Sequence, residues 1–130
     1  MKRRILFMEK HETVAILGAS TNPERYSYKA LKMLAEHGHT PLPVNPSLNE
    51  IEGVPVMKTI DALPRPVDTL TIYVKPAILA TMVPEILALS PKRVIFNPGT
   101  ESPQIAARFR ENNIETMEAC TLVLLSTGQF

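Results

Sequence analysis

Along this chain, short unbroken apolar runs alternate with stretches in which apolar residues recur every three or four positions, and glycine, proline or asparagine marks the boundaries. Thr13-Val14-Ala15-Ile16-Leu17-Gly18 is apolar without alternation. A strand with one wet face would alternate, so the unbroken run predicts a strand covered on both faces, a central position in a parallel sheet. Ala30, Leu31, Leu34 and Ala35 follow at helical spacing, and Gly38 between His37 and His39 ends that helix. Leu42-Pro43-Val44-Asn45 predicts a second, short strand that Pro46 stops. Proline has no N–H to give, so Pro41 and Pro43 imply an incomplete set of ladder bonds.

Ser47 to Pro55 is polar and is expected to be a loop, followed by a strand of two or three residues at Val56-Met57 and a helical turn near Ile60 to Leu63. Asp68 to Val74 is rich in β-branched residues and predicts a strand, after which Lys75-Pro76 opens a helix. That helix, from about Ala77 to Leu89, contains Pro84, which must kink or split it. Arg93 to Asn97 is the next strand, Asn97-Pro98-Gly99-Thr100 its turn, and Ser102 the cap of a helix reaching about Asn112. Ile114 to Met117 makes a last strand and Thr121 to Ser126 a closing helix. This order predicts a single-domain α/β fold, a Rossmann-like doubly wound parallel sheet in three α/β/α layers. Ligands of such sheets bind beyond the carboxyl ends of the strands, where the winding reverses. Here those ends are the turns that start at Gly18, Asn45, Val74 and Asn97.

Composition narrows the classes. The 130 residues suit one domain, and 45% hydrophobic with 21% charged residues is the profile of a soluble globular chain. Fourteen lysines and arginines against 13 acids leave a net charge of +1, which provides no general field toward nucleic acid or an anionic membrane. Any anion site must be local. Cys120 is the one cysteine, so an intramolecular disulfide is excluded and no thiolate zinc site can form; a reducing cytoplasm fits. Residues 1–11 carry only the apolar patch Ile5 to Met8 between charges, too short for a signal or a span. They are expected to be an N-terminal extension to a domain of residues 12–130.

The unusual chemistry begins after the first strand, in Gly18-Ala19-Ser20-Thr21-Asn22-Pro23-Glu24-Arg25. Small residues let the backbone turn tightly and bring N–H groups close to a ligand. A helix start adds partial positive charge, and the Ser20 and Thr21 hydroxyls with the Arg25 cation add donors, so phosphate suits the turn. The alternative is a plain strand-to-helix turn with polar groups in water. A dinucleotide fingerprint needs G-x-G-x-x-G and an acid about 20 residues on. Ser20 and Pro23 stand at the later glycine positions and Asn45-Pro46 ends the second strand, which disfavours NAD; no P-loop pattern occurs.

Other candidates have competing readings. None of His11, His37 and His39 has metal-ligand spacing, and His37 and His39 sit where a helix end favours a cation. Glu111, Glu115 and Glu118 are expected on the surface. Tyr26 and Tyr28 either cover a ligand or pack on the sheet edge, and Lys75 either binds an anion or is solvated. Cys120 is either a small packing residue or a thiol reachable from the strand ends. No catalytic or metal-binding residue is assigned.

The ordered set Val14-Ala15-Ile16-Leu17-Gly18-Ala19-Ser20-x-Asn22-Pro23 and Pro43-Val44-Asn45-Pro46 resembles the CoA-binding domain family, small stand-alone proteins similar to the CoA-binding domain of the succinyl-CoA synthetase α subunit. The resemblance continues through Gly53-Val54-Pro55, Ile60-Asp61-Ala62-Leu63-Pro64 and Val67-Asp68, and covers about residues 12–120. It implies a Rossmann-like fold that binds coenzyme A or an acyl-CoA, with Gly18, Ala19 and Ser20 on the phosphates and Arg25 and Lys29 as their basic partners. Asn45 and Pro46 match the family's second turn, which lines the nucleotide, and Val74, Lys75 and Pro76 its third. The fourth turn departs, having Asn97-Pro98-Gly99 where many members resemble Gln-Leu-Gly or Gln-Pro-Gly. The second domain of the synthetase subunit, with its phosphorylated histidine, has no counterpart in this sequence. The expectation is therefore binding of a small-molecule ligand without catalysis. The rival readings are an acyl-CoA enzyme completed by a partner chain and a pyridine-nucleotide module; a homo-oligomer stays open.

Overall fold

The computed structural model describes residues 11–130, so the expected N-terminal extension, His11 apart, lies outside the described residues. In chain order the elements are β1 (Thr13–Leu17), α1 (Tyr26–Glu36), β2 (Thr40–Val44), β3 (Glu50–Ile51), β4 (Val54–Pro55), β5 (Thr69–Ile72), α2 (Pro76–Ala80), α3 (Val83–Leu89), β6 (Arg93–Phe96), α4 (Pro103–Glu111), β7 (Glu115–Glu118) and α5 (Thr121–Ser126). Five strands form one parallel sheet in the order β2-β1-β5-β6-β7. The chain winds outward from β1 through α1 to β2, then returns to β5 on the other side of β1 and winds away through β6 to β7. The reversal between β1 and β5 is the switch point of a doubly wound sheet.

The unbroken apolar run of β1 has its reason in the layers. Val14 and Ile16 pack against Leu31 and Leu34 of α1 and Leu125 of α5. Ala15 and Leu17 point the other way, into a core with Leu79, Val83 and Ile86 of α2 and α3 and Phe109 of α4. Neither face of β1 meets water, and each large side chain so buried stabilises the fold by roughly 1.5 to 3 kcal/mol.

Pro41 and Pro43 fit β2 because of register. Thr40 donates its N–H to Glu12 O at 2.9 Å, and Val44 O accepts from Gly18 and Ala19, so the even-numbered residues bond toward β1. The prolines therefore face the outer edge, where the missing N–H costs no ladder bond. On that edge Met57 donates to Pro43 O at 2.9 Å and accepts from Asn45 N–H at 3.0 Å. The strand expected at Val56-Met57 is thus a single parallel bridge between Val44 and Met57. The expected loop before it holds the antiparallel pair β3 and β4, joined at Glu52 and Gly53 with φ of 52° and 79°. Pro84 splits the predicted helix into α2 and α3, and the Ser102 hydroxyl caps α4 by accepting from Ile105 N–H at 3.3 Å.

Candidate functional site

Beyond Leu17 the chain turns at Gly18, whose φ is +92°. A side chain there would crowd the end of β5, since a Cβ would lie 3.0 Å from Val74 Cγ1 and 3.2 Å from the Tyr73 carbonyl carbon, so that β5 would have to give by a few tenths of an ångström. Gly18 and Ala19 both donate their N–H to Val44 O, at 3.3 and 3.2 Å, which fastens the turn to the end of β2. Asn45 reinforces this by donating Nδ2 to Ala19 O at 2.8 Å while its Oδ1 accepts from Ser47 N–H at 2.7 Å. The first and second turns are thereby one rigid unit.

From Ser20 the chain makes stacked turns. Ser20 Oγ accepts from Asn22 N–H, and Asn22 Oδ1 from Glu24 N–H, each at 3.0 Å, before Arg25 leads into α1 without a side-chain cap. Among the described residues, the N–H groups of Ser20, Thr21, Tyr26 and Ser27 have no protein acceptor. All four residues line one cavity of about 620 Å³, together with Arg25. Glu24 lines it too, so the cavity combines unspent amides, a helix start and the Arg25 guanidinium with one carboxylate.

A second cavity, of about 340 Å³, opens on the other side of the turn. Its walls are mainly apolar, from Leu17, Val44, Ile60, Val74, Ile78 and Met82. Gly18 and Asn45 line both cavities, so the fastened turns form a ridge between a polar chamber and an apolar one.

The structure brings Gly18, Ala19, Ser20, Thr21, Arg25 and Asn45 together in the polar cavity, and Pro46 and Val74 join Gly18 and Asn45 in the apolar one. Lys29, Lys75 and Pro76 line neither cavity. The Lys29 ammonium instead lies over the Tyr26 ring, 5.7 Å from its centre. Tyr26 lines the polar cavity, whereas Tyr28 donates its hydroxyl to Glu52 and, with Lys32 at 3.7 Å from the same carboxylate, ties α1 to the β3–β4 hairpin. That bond raises the Tyr28 pKa and lowers that of Glu52.

Sequence reasoning missed Tyr73, which lines the polar cavity. Its hydroxyl is buried and has no hydrogen-bond partner among the described residues. Burial pushes its pKa up to about 12, against the pull of the nearby Thr71 and Thr121 hydroxyls, so Tyr73 stays neutral. Also missed were Lys58 and Glu85, the charged residues of the apolar cavity. Neither carries a local pattern: Lys58 follows the hairpin, and Glu85 is one of several acids on helices.

The fourth turn is structural. Asn97 is buried, donates Nδ2 to Thr71 Oγ1 at 2.7 Å and to Ile72 O at 2.9 Å, and accepts at Oδ1 from Thr121 N–H at 2.9 Å. Every polar atom of its side chain is spent on joining β5, β6 and α5. Cys120, half-buried before α5, lines neither cavity. His37 Nδ1 bonds Met33 O at the end of α1. No cluster of three or more metal-ligating residues occurs among the described residues.

A doubly wound parallel sheet with a polar cavity and an apolar cavity at its switch point defines a Rossmann-like α/β class of domain. A family model for the CoA binding domain matches residues 12–126, and the chain belongs to that family. Its fold is shared with a protein of known crystal structure that is 39% identical, with a TM-score of 0.89 over 94% of this chain and 100% of the other. A solved structure from Thermus thermophilus is 29% identical, with a TM-score of 0.84 over 99% and 98% of the respective chains. The uncharacterized protein YneT of Bacillus subtilis is 26% identical over 66 residues, a match that spans 51% of this chain and about half, 49%, of that relative.

Proposed function

We propose that the protein binds coenzyme A, free or acylated, across the carboxyl ends of β1, β2 and β5. The observation that carries this reading is the pair of cavities sharing the Gly18–Asn45 ridge. Unspent N–H groups and Arg25 on one side suit a pyrophosphate, and the chamber on the other side, apolar except for Lys58 and Glu85, takes another part of the same molecule. Membership of the CoA binding domain family supports the choice of ligand. The protein holds and presents the cofactor without transforming it.

Thermal-shift measurement with CoA, acetyl-CoA, NAD, NADP and ATP tests this. A ligand at about 100 times its Kd adds ~2.7 kcal/mol of stability, a shift of several degrees for a domain of this size. CoA and acetyl-CoA are expected to raise Tm most. An equal or larger shift with NAD would overturn the reading.

A further inference from the structure

We infer that Lys58 recognises a second phosphate on the ligand, the ribose 3′-phosphate that distinguishes CoA from dephospho-CoA. The inference rests on the reading of the site as a CoA site. Arg25 and Lys58 are the cations that line the two cavities, Arg25 in the polar chamber and Lys58 in the apolar one. CoA carries anionic groups at two places, a pyrophosphate and a phosphate on the neighbouring ribose. The pyrophosphate takes the unspent amides beside Arg25, which leaves the ribose phosphate for the cation across the ridge.

The state of the Lys58 ammonium supports this role. Its Nζ donates to Leu48 O at 3.1 Å and to Asn49 Oδ1 at 2.9 Å. Both acceptors are neutral, so they hold the group without cancelling its charge, and among the described residues the third N–H of the ammonium has no acceptor. Lys32 and Lys92, by contrast, are paired with Glu52 and Asp68. No carboxylate pairs with Lys58 among the described residues. Glu85, in the first turn of α3, is the acid of the same cavity. It repels a phosphate from its own end and accepts from neutral donors, a ribose hydroxyl or an exocyclic amine, so the anion is directed to Lys58.

Calorimetric titration of wild type, Lys58→Met, Lys58→Arg and Arg25→Ala with CoA and with dephospho-CoA decides the matter. Wild type is expected to prefer CoA by about tenfold, the effect of one charge-assisted hydrogen bond at a solvent-open site. Lys58→Met removes that preference while its affinity for dephospho-CoA changes less than about twofold, which also shows that the cavity wall is intact; Lys58→Arg restores most of the preference. Arg25→Ala weakens both ligands alike and keeps their ratio. A wild-type ratio retained in Lys58→Met, or equal wild-type affinity for the two ligands, overturns the role of Lys58 and leaves the CoA reading standing. Binding of neither ligand by wild type refutes the CoA reading, and this inference with it.

Discussion

Gly18 and Val74 meet across a single hydrogen atom: a Cβ on the glycine would stand 3.0 Å from Val74 Cγ1. This contact joins the ends of β1 and β5 at the switch point, and it is tighter than nearly all side-chain contacts. Gly18→Ala also imposes a φ of +92° on an L-residue. The backbone strain and the crowding together are expected to cost about 1 to 3 kcal/mol, read as a lower urea midpoint, and to weaken CoA binding by displacing the ridge.

Arg25→Ala is expected to leave the urea midpoint within ~0.5 kcal/mol of wild type, because the side chain is exposed and makes no bond that holds the fold. CoA affinity should fall by roughly tenfold, the lower part of the range for a hydrogen bond to a charged group, since solvent screens the site. Titration calorimetry that finds unchanged affinity would remove Arg25 from the site.

Asn97 invites a different experiment, because its side chain serves stability and not the ligand. Asn97→Ala abolishes three hydrogen bonds and leaves Ile72 O and Thr121 N–H poorly satisfied in a buried place. A loss of roughly 2 to 4 kcal/mol is expected in chemical denaturation, with little change in CoA affinity for the molecules that remain folded. A large affinity change at unaltered stability would show that the fourth turn touches ligand after all.

Acid sensitivity should arise at the opposite end of the sheet. His39 accepts at Nδ1 from Glu12 N–H at 3.1 Å, and burial lowers its pKa below 6.5 despite the opposing pull of Glu12. The unfolded chain therefore takes up a proton at higher pH than the folded protein does. In that interval unfolding binds protons, so this contribution is complete above about pH 6.5 and is lost as pH falls through the lowered value. Denaturant midpoints measured from about pH 7.5 to about pH 5.5 should decline in wild type and decline less in His39→Gln, which keeps an acceptor that does not titrate. The effect is small, because the ring is only partly withdrawn from water.

The fold was legible where one rule governed a whole element. The unbroken run of β1 reported burial on both faces, Pro84 reported the break between α2 and α3, and Ser102 reported the cap of α4. The β3–β4 hairpin escaped because each strand has two residues, too few for alternation to register, and its turn uses Glu52 at positive φ, where asparagine or glycine would have signalled it. Of the site, the turn from Gly18 to Arg25 was visible as local chemistry. Tyr73, Lys58 and Glu85 were not, since only the three-dimensional approach of β5, the hairpin and α3 brings them to the cavities. Lys29 and Lys75 lie close to the right turns in sequence, but neither side chain lines a cavity.

The two prolines of β2 have a further effect on how this molecule behaves in a crowded solution. An outer strand with free amides and carbonyls is a template on which another chain can add its own strand and seed aggregates. Here the outward positions of β2 are Pro41 and Pro43, which present no amide, and the Pro43 carbonyl is already taken by Met57. At the far edge of the sheet, β7 begins and ends with the exposed charges of Glu115 and Glu118. Both borders of the sheet are thus poor templates for the edge-on addition of a foreign strand.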